Sequence, residues 1–192
     1  MPAQRYAQII DLIEDVKPKS IIEIGVWNGK RACWMAEAAL KHSPAVHYEG
    51  YDLFETASAD TDRDELNAKP HNSIHRVSQR LQDFAATQPG FTFKLYRGNT
   101  RQVLRPCSAD FVYIDGGHSV ETIRHDYEMT RDSPVVLFDD YYLPDAEGRC
   151  TDLSLYGANQ IVDAIEGAKI LPSNDPLMGG GIVALALVRR GL

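Results

Sequence analysis

Apolar positions along the chain alternate between a helical and a strand-like period. Residues 3–16 carry Tyr6, Ile9, Ile10, Ile13 and Val16 on one helical face, and Pro18 stops the run, so residues 1–17 read as an N-terminal helix. Ser20 to Ile24 is a short apolar strand, followed by a turn from Gly25 to Gly29 and a helix over 30–41. Residues 46–53 read as the next strand, with Asp52 at its end. Further on, the pattern predicts helices over 73–86, 101–105, 119–131 and 154–166. It predicts strands at Phe91 to Tyr96, Ala109 to Asp115, Pro134 to Phe138, 168–171 and 181–189. Residues 54–72 (FETASADTDRDELNAKPHN) are polar and show no period. They read either as a lid over a site or as a surface insertion with a short helix.

Strands alternating with helices at this spacing predict an α/β fold, a doubly wound and mostly parallel sheet of the Rossmann-like kind. In such sheets ligands bind beyond the carboxyl ends of the strands, where the strand order reverses. That rule selects Gly25 to Gly29, Asp52, Asn99, Asp115 to His118, and Asp139 with Asp140. No linker or repeat divides the chain, so all 192 residues (1–192) read as one domain.

Composition narrows the class. With 44% hydrophobic and 24% charged residues the chain is globular. A net charge of −7 argues against a general nucleic-acid binder, which needs a basic footprint. Cys33, Cys107 and Cys150 form no CxxC or Cys/His cluster, so neither a disulfide framework nor a structural zinc site is indicated. The amphipathic N-terminus lacks the apolar segment of a secretory signal, and the run Ile182 to Val188 is too short to span a bilayer. A cytoplasmic protein with no membrane partner is the expectation.

The turn Glu23-Ile-Gly25-Val-Trp27-Asn-Gly29 has two glycines where backbone must turn tightly and admit a ligand closely. It is neither GxGxxG nor a phosphate loop, because Lys30 is followed by Arg31 instead of Ser or Thr. Asp52, 23 residues beyond Gly29, is placed to accept hydrogen bonds from a ribose diol; a surface acid or cap is the plainer alternative. Trp27 reads as bordering a ligand or covering the core, and Trp34 as core.

The motifs Glu23 to Gly29, Tyr51-Asp52, Ile114-Asp-Gly-Gly-His118 and Phe138-Asp-Asp-Tyr141 together resemble a class I S-adenosylmethionine-dependent methyltransferase. The chain is most similar to the small-molecule O-methyltransferases grouped as methyltransferase family 24. The resemblance spans roughly residues 18–142. It implies a seven-stranded sheet with an antiparallel last strand. It also implies a glycine turn around the methionine part of the cofactor, and an acid on the ribose. Glu23, Gly25, Gly29 and Asp52 match those positions, with Trp27 inside the turn, and Asn99 and Thr100 would lie near the adenine.

Asp115 and the pair Asp139-Asp140 stand 24 residues apart, one strand-helix-strand step, so the three carboxylates should converge at neighbouring strand ends. Crowded carboxylates repel unless a cation sits between them. A hard divalent ion such as magnesium suits oxygen ligands, and relatives of this type use acids in these places, making Asp115, Asp139 and Asp140 candidate metal ligands. Otherwise Asp115 touches cofactor or substrate and Asp139 caps a loop. The implied reaction is methyl transfer to a hydroxyl of a small molecule. His118 is the first choice of base and Asp115 the second. His118 fixing the turn is the structural alternative. Tyr141 and Tyr142 line an acceptor pocket or pack a loop, and Glu121, Arg124 and Asp126 read as a solvated helix face. Two other functions stay open: methylation of a macromolecule, and a non-catalytic cofactor-binding module. Asp115-Gly-Gly-His118 where base methylases carry Asn/Asp-Pro-Pro-Tyr counts against the first. With little chain for a substrate cap, the site is either open or completed by a second copy, so a homo-oligomer is a further expectation.

Overall fold

A computed structural model describes residues 3–191; residues 1, 2 and 192, part of the expected domain, lie outside the described residues. The helices are α1 (Gln4–Val16), α2 (Lys30–Leu40), α3 (Ala59–Asp64), α4 (Ile74–Thr87), α5 (Thr100–Val103), α6 (Val120–Thr130) and α7 (Gly157–Val162). The strands are β1 (Ser20–Ile24), β2 (Val46–Asp52), β3 (Phe91–Arg97), β4 (Phe111–Ile114), β5 (Val135–Leu143), β6 (Lys169–Ile170), β7 (Asp175–Pro176) and β8 (Ile182–Arg189). They form one sheet in the order β3-β2-β1-β4-β5-β8-β6, with β7 also on β8. The five strands from β3 to β5 are parallel, and β8 is antiparallel to β5. The expected doubly wound sheet, with seven strands along the main path and an antiparallel last long strand, is thus present.

Alternate residues of the central strands serve two cores, as a two-residue period requires. Phe111 and Tyr113 face a core shared with Ile9 and Ile13 of α1, Met35 of α2, and Val77 and Leu81 of α4. Val112 and Ile114 face the other, with Ile123 of α6 and Ile161 and Val162 of α7. Buried on both faces, β4 reads as an unbroken apolar run. The helix ends follow the local sequence. Lys17, in a left-handed conformation at φ 54°, closes α1 before Pro18, and Ser73 and Ser119 cap α4 and α6 with their side chains.

Several expectations change. The helix expected over 154–166 is a short turn at Leu153–Leu155 and then α7, which ends at Val162. Gly157 there lies so close to α6 that a Cβ would stand 2.6 Å from the Ser119 carbonyl oxygen. β5 continues to Leu143 instead of ending at Phe138, because β8 keeps pairing with Tyr141 to Leu143 across a bulge. Trp34 is 46% exposed and not core. Asp126, expected on a solvated face, is 0% exposed. Among the described residues no helix is long and apolar enough to cross a membrane.

Candidate active site

The chain reverses its winding at β1, which pairs with β2 on one side and β4 on the other. Register aligns Ile24 with Tyr51 and with Ile114, and Ile114 with Phe138. Gly25, Asp52, Asp115 and Asp139 therefore emerge side by side, one residue past those partners. A cleft of about 320 Å³ opens over the first three, lined also by Trp27, Asn99 and His118. That volume suits a small-molecule ligand.

Gly25, at φ 91°, lies so close to β4 that a Cβ would stand 1.9 Å from the Asp115 carbonyl oxygen. Only glycine meets both conditions. Trp27, 45% exposed and at φ 52°, borders the cleft. Its backbone N–H donates to Asp52 Oδ2 at 2.8 Å, while Phe54 N donates to Asp52 Oδ1 at 2.6 Å. Asp52 thus holds the turn and lines the cleft at once. Burial raises its carboxyl above the ordinary range, against the pull of these two N–H groups. Asn99 caps α5 through its side-chain oxygen and also borders the cleft.

Glu23 and Gly29 are placed differently from Gly25. Glu23 is fully buried and does not line the cleft; it accepts hydrogen bonds from the Tyr48 hydroxyl and from Arg31 Nε, the latter at 2.7 Å. Gly29, at φ 75°, begins α2 against Val77 of α4. Both shape the turn from behind.

The three aspartates do converge. Asp115, Asp139 and Asp140 each offer an oxygen within 4.8 Å of the others. The pair on β5 faces one way because of the bulge: the register with β8 shifts between Phe138 and Tyr141, and Asp140 adopts φ 53°. Two arginines that the sequence did not single out partly balance them. Arg31 reaches Asp115, Glu23 and the Gly25 carbonyl, with its guanidinium 4.6 Å from the Tyr113 ring centre. Arg5, from α1, places Nη1 at 3.2 Å from Asp139 Oδ1 and 3.4 Å from Asp140 Oδ1. The only sequence signal for Arg31 was its place in the first turn of α2. Arg5 had none, since its partners lie 134 and 135 residues away.

Charge compensation is incomplete. Burial, with the Asp115 and Asp140 charges adding, pushes Asp139 up to about 7. Burial also works to raise Asp115, but Arg31, followed by Lys69 and His118, brings it below the usual carboxylate range. The Tyr113 hydroxyl donates to Asp139 Oδ2, and burial keeps that phenol protonated far above its ordinary range. Asp115 Oδ1 is buried without any hydrogen-bond partner. A free buried carboxylate oxygen among three clustered acids fits a hard cation. Arg5 and Tyr113 already engage Asp139, so such an ion would have to share or displace Arg5.

His118 lines the cleft, with Nδ1 3.4 Å from Asp140 Oδ2. The backbone carbonyl of His118 also accepts the Gly157 N–H at 2.8 Å. Tyr141 and Tyr142 are buried, bonded to Asp163 and Asn159 on the α7 side, and do not line this cleft. Of the segment 54–72, residues between 61 and 72 form a further wall of the cleft.

A family model described as a methyltransferase domain, family 24, matches residues 22–141. The chain belongs to methyltransferase family 24. It is a methyltransferase by family. Solved structures share the family 24 chain's fold at low identity. NovP, an O-methyltransferase, aligns at TM-score 0.64 and 17% identity, over 97% of this chain and 79% of its own. The O-methyltransferase TomG of Streptomyces achromogenes, involved in tomaymycin synthesis and solved with S-adenosylmethionine, aligns at 0.59 and 14%, over 100% and 82%. An O-methyltransferase of Bacillus cereus, solved with S-adenosylhomocysteine, aligns at 0.59 and 14%, over 99% and 82%. No curated protein sequence matches the chain.

Proposed function

We propose that the protein methylates a hydroxyl group of a small molecule, using S-adenosylmethionine and assisted by a divalent cation. The observation that carries this reading is the convergence of Asp115, Asp139 and Asp140 beside His118, with Asp115 and His118 lining the same cleft as Asp52 and Asn99.

The chain's residues divide the work by position. Asp52 accepts from the ribose hydroxyls with lone pairs left over from its two backbone bonds. Asn99 lies toward the adenine, and Gly25 and Trp27 border the methionine part. The cofactor, when bound, supplies a methyl group already activated on its sulfonium, which passes to the acceptor oxygen as the sulfur–methyl bond breaks. His118 accepts the proton that the hydroxyl releases, and Asp140 orients and stabilises the imidazolium. Asp115, Asp139 and Asp140 would hold a magnesium-like ion, which would lower the acceptor hydroxyl's pKa and fix its position. Arg31 keeps Asp115 ionised and aimed at that point.

A thermal unfolding scan with S-adenosylhomocysteine, in magnesium and again in EDTA, tests both halves. Ligand at ~100 times its dissociation constant stabilises by about 2.7 kcal/mol. That raises the midpoint by roughly 5–11 °C for a chain of this size. Asp52→Ala should remove the shift, and Asp139→Ala should remove only the further shift given by magnesium. His118→Ala should keep the ligand shift while lowering kcat on a hydroxylated acceptor by roughly 10²–10⁴. No shift with any adenosyl ligand would overturn the cofactor assignment. Equal shifts in magnesium and EDTA would remove the cation.

A further inference from the structure

Strand ends account for the floor of the cleft and leave its roof unexplained. The roof is residues 57–72, and it is fastened at two points. Glu65 is buried: its Oε1 accepts the Thr122 hydroxyl at 2.6 Å and its Oε2 accepts Ser119 N at 3.1 Å, both at the start of α6. Gly117 makes room for it, since a Cβ there would stand 2.3 Å from Glu65 Oε2. At the other point Trp27 Nε1 donates to the Pro70 carbonyl at 3.1 Å, tying the roof to the glycine turn. Asn67 braces the loop between them, bonding Asp62 Oδ1 at 2.9 Å, Lys69 O at 3.1 Å and Lys69 N at 3.0 Å.

That brace fixes the backbone of Lys69 on both sides, and Lys69 itself lines the cleft. The strand order β3-β2-β1-β4 sets the direction of a bound cofactor, from adenine at Asn99 through ribose at Asp52 to the amino-acid end at Gly25 and Asp115. At that far end the floor holds buried carboxylates, which repel the cofactor's own carboxylate. Arg31 is committed to Glu23, Asp115 and Gly25 O. Lys69 lines the same cleft as Gly25 and Asp115.

We infer that residues 57–72 are a cofactor lid, latched by Glu65 on α6, which carries Lys69 to the carboxylate of the bound S-adenosylmethionine. This rests on the cofactor reading of the cleft. It makes Gly117 of the Asp-Gly-Gly-His motif a seat for the latch.

Calorimetric titration with two ligands separates the two readings. S-adenosylhomocysteine has the amino-acid carboxylate and 5′-methylthioadenosine lacks it. Lys69→Met should weaken the first about tenfold, the scale of one charge-assisted contact, and leave the second unchanged. Lys69→Arg should restore the first. Glu65→Ala should weaken both ligands by a similar factor and speed their release. Equal effects of Lys69→Met on both ligands, or none on either, would overturn the role of Lys69. Unchanged affinity and release in Glu65→Ala would overturn the latch. Wild-type protein that binds neither ligand would overturn the cofactor reading itself.

Discussion

The floor and the roof of the cleft are built on different principles. The floor consists of strand ends whose positions follow from sheet register: Gly25 N donates to Tyr51 O at 2.8 Å and Asp115 N to Ile24 O at 2.7 Å, so the ladder continues into the site itself. The roof is polar chain that buries little apolar surface and is held by single side-chain contacts. A part locked into the ladder can be displaced only by disturbing the whole sheet, whereas a part held by isolated hydrogen bonds can open alone. Under the proposed function, cofactor specificity belongs to the first kind of structure and cofactor exchange to the second.

The comparison can be broken most severely at Gly25. Gly25→Ala forces a methyl group into the Asp115 backbone, and unfolding in urea should show a loss above about 4 kcal/mol or no folded protein. A variant within ~1 kcal/mol of wild type would mean the floor is not rigid.

Next in size is Asp126, on the helix that receives the latch. Neither of its carboxyl oxygens completes a well-formed hydrogen bond, and burial, opposed by the nearby Thr100 hydroxyl and helped by Glu65, raises it to about 7. The folded chain therefore binds this proton more tightly than the unfolded chain does. Its contribution to stability is full below about pH 4, falls as pH rises toward 7, and levels off above. Asp126→Asn should match wild type near pH 4 and be more stable by about 3–4 kcal/mol at pH 8. Denaturant midpoints across that range check it, and a difference that does not change with pH would contradict it.

Glu65→Ala should show the smallest global effect, below about 1.5 kcal/mol, because Ser119 N and the Thr122 hydroxyl regain water. Its effect should be local. Hydrogen exchange should accelerate in residues 57–72 and stay unchanged in β1 and β4. Acceleration spread over both would make roof and floor one cooperative unit.

The two parts also differed in how far the sequence revealed them. The strands around Ser20–Ile24 and Phe111–Ile114, and the acids beyond them, were legible because burial on both faces writes a plain apolar run and the C-terminal-edge rule then points to the next residue. Helix 74–87 was legible from its single apolar face. Arg5, by contrast, reaches its acids across more than 130 residues, and no local pattern records such a contact. Asp126 looked solvated because its neighbours Glu121 and Arg124 are charged and exposed; only the packing of α6 under Thr100 reveals which face it occupies. The segment 54–72 has no period because its bonds run from side chain to backbone, and sequence periodicity does not encode these. Trp34 misled through its size, since large apolar residues are usually inside.

The bulge in β5 has a consequence that can be stated as parity. Between Phe138 and Tyr141 the strand advances three residues while β8 advances two, from Ala186 to Ala184. Consecutive residues of a regular strand point to opposite faces, so Asp139 and Asp140 could never meet the same guanidinium on an unbulged strand. One extra residue turns an even count into an odd one and brings both acids to one side. Deleting it would leave every remaining residue's chemistry unchanged and the sheet still paired, yet only one acid would reach the site. At this edge the catalytic potential is fixed by counting before it is fixed by charge.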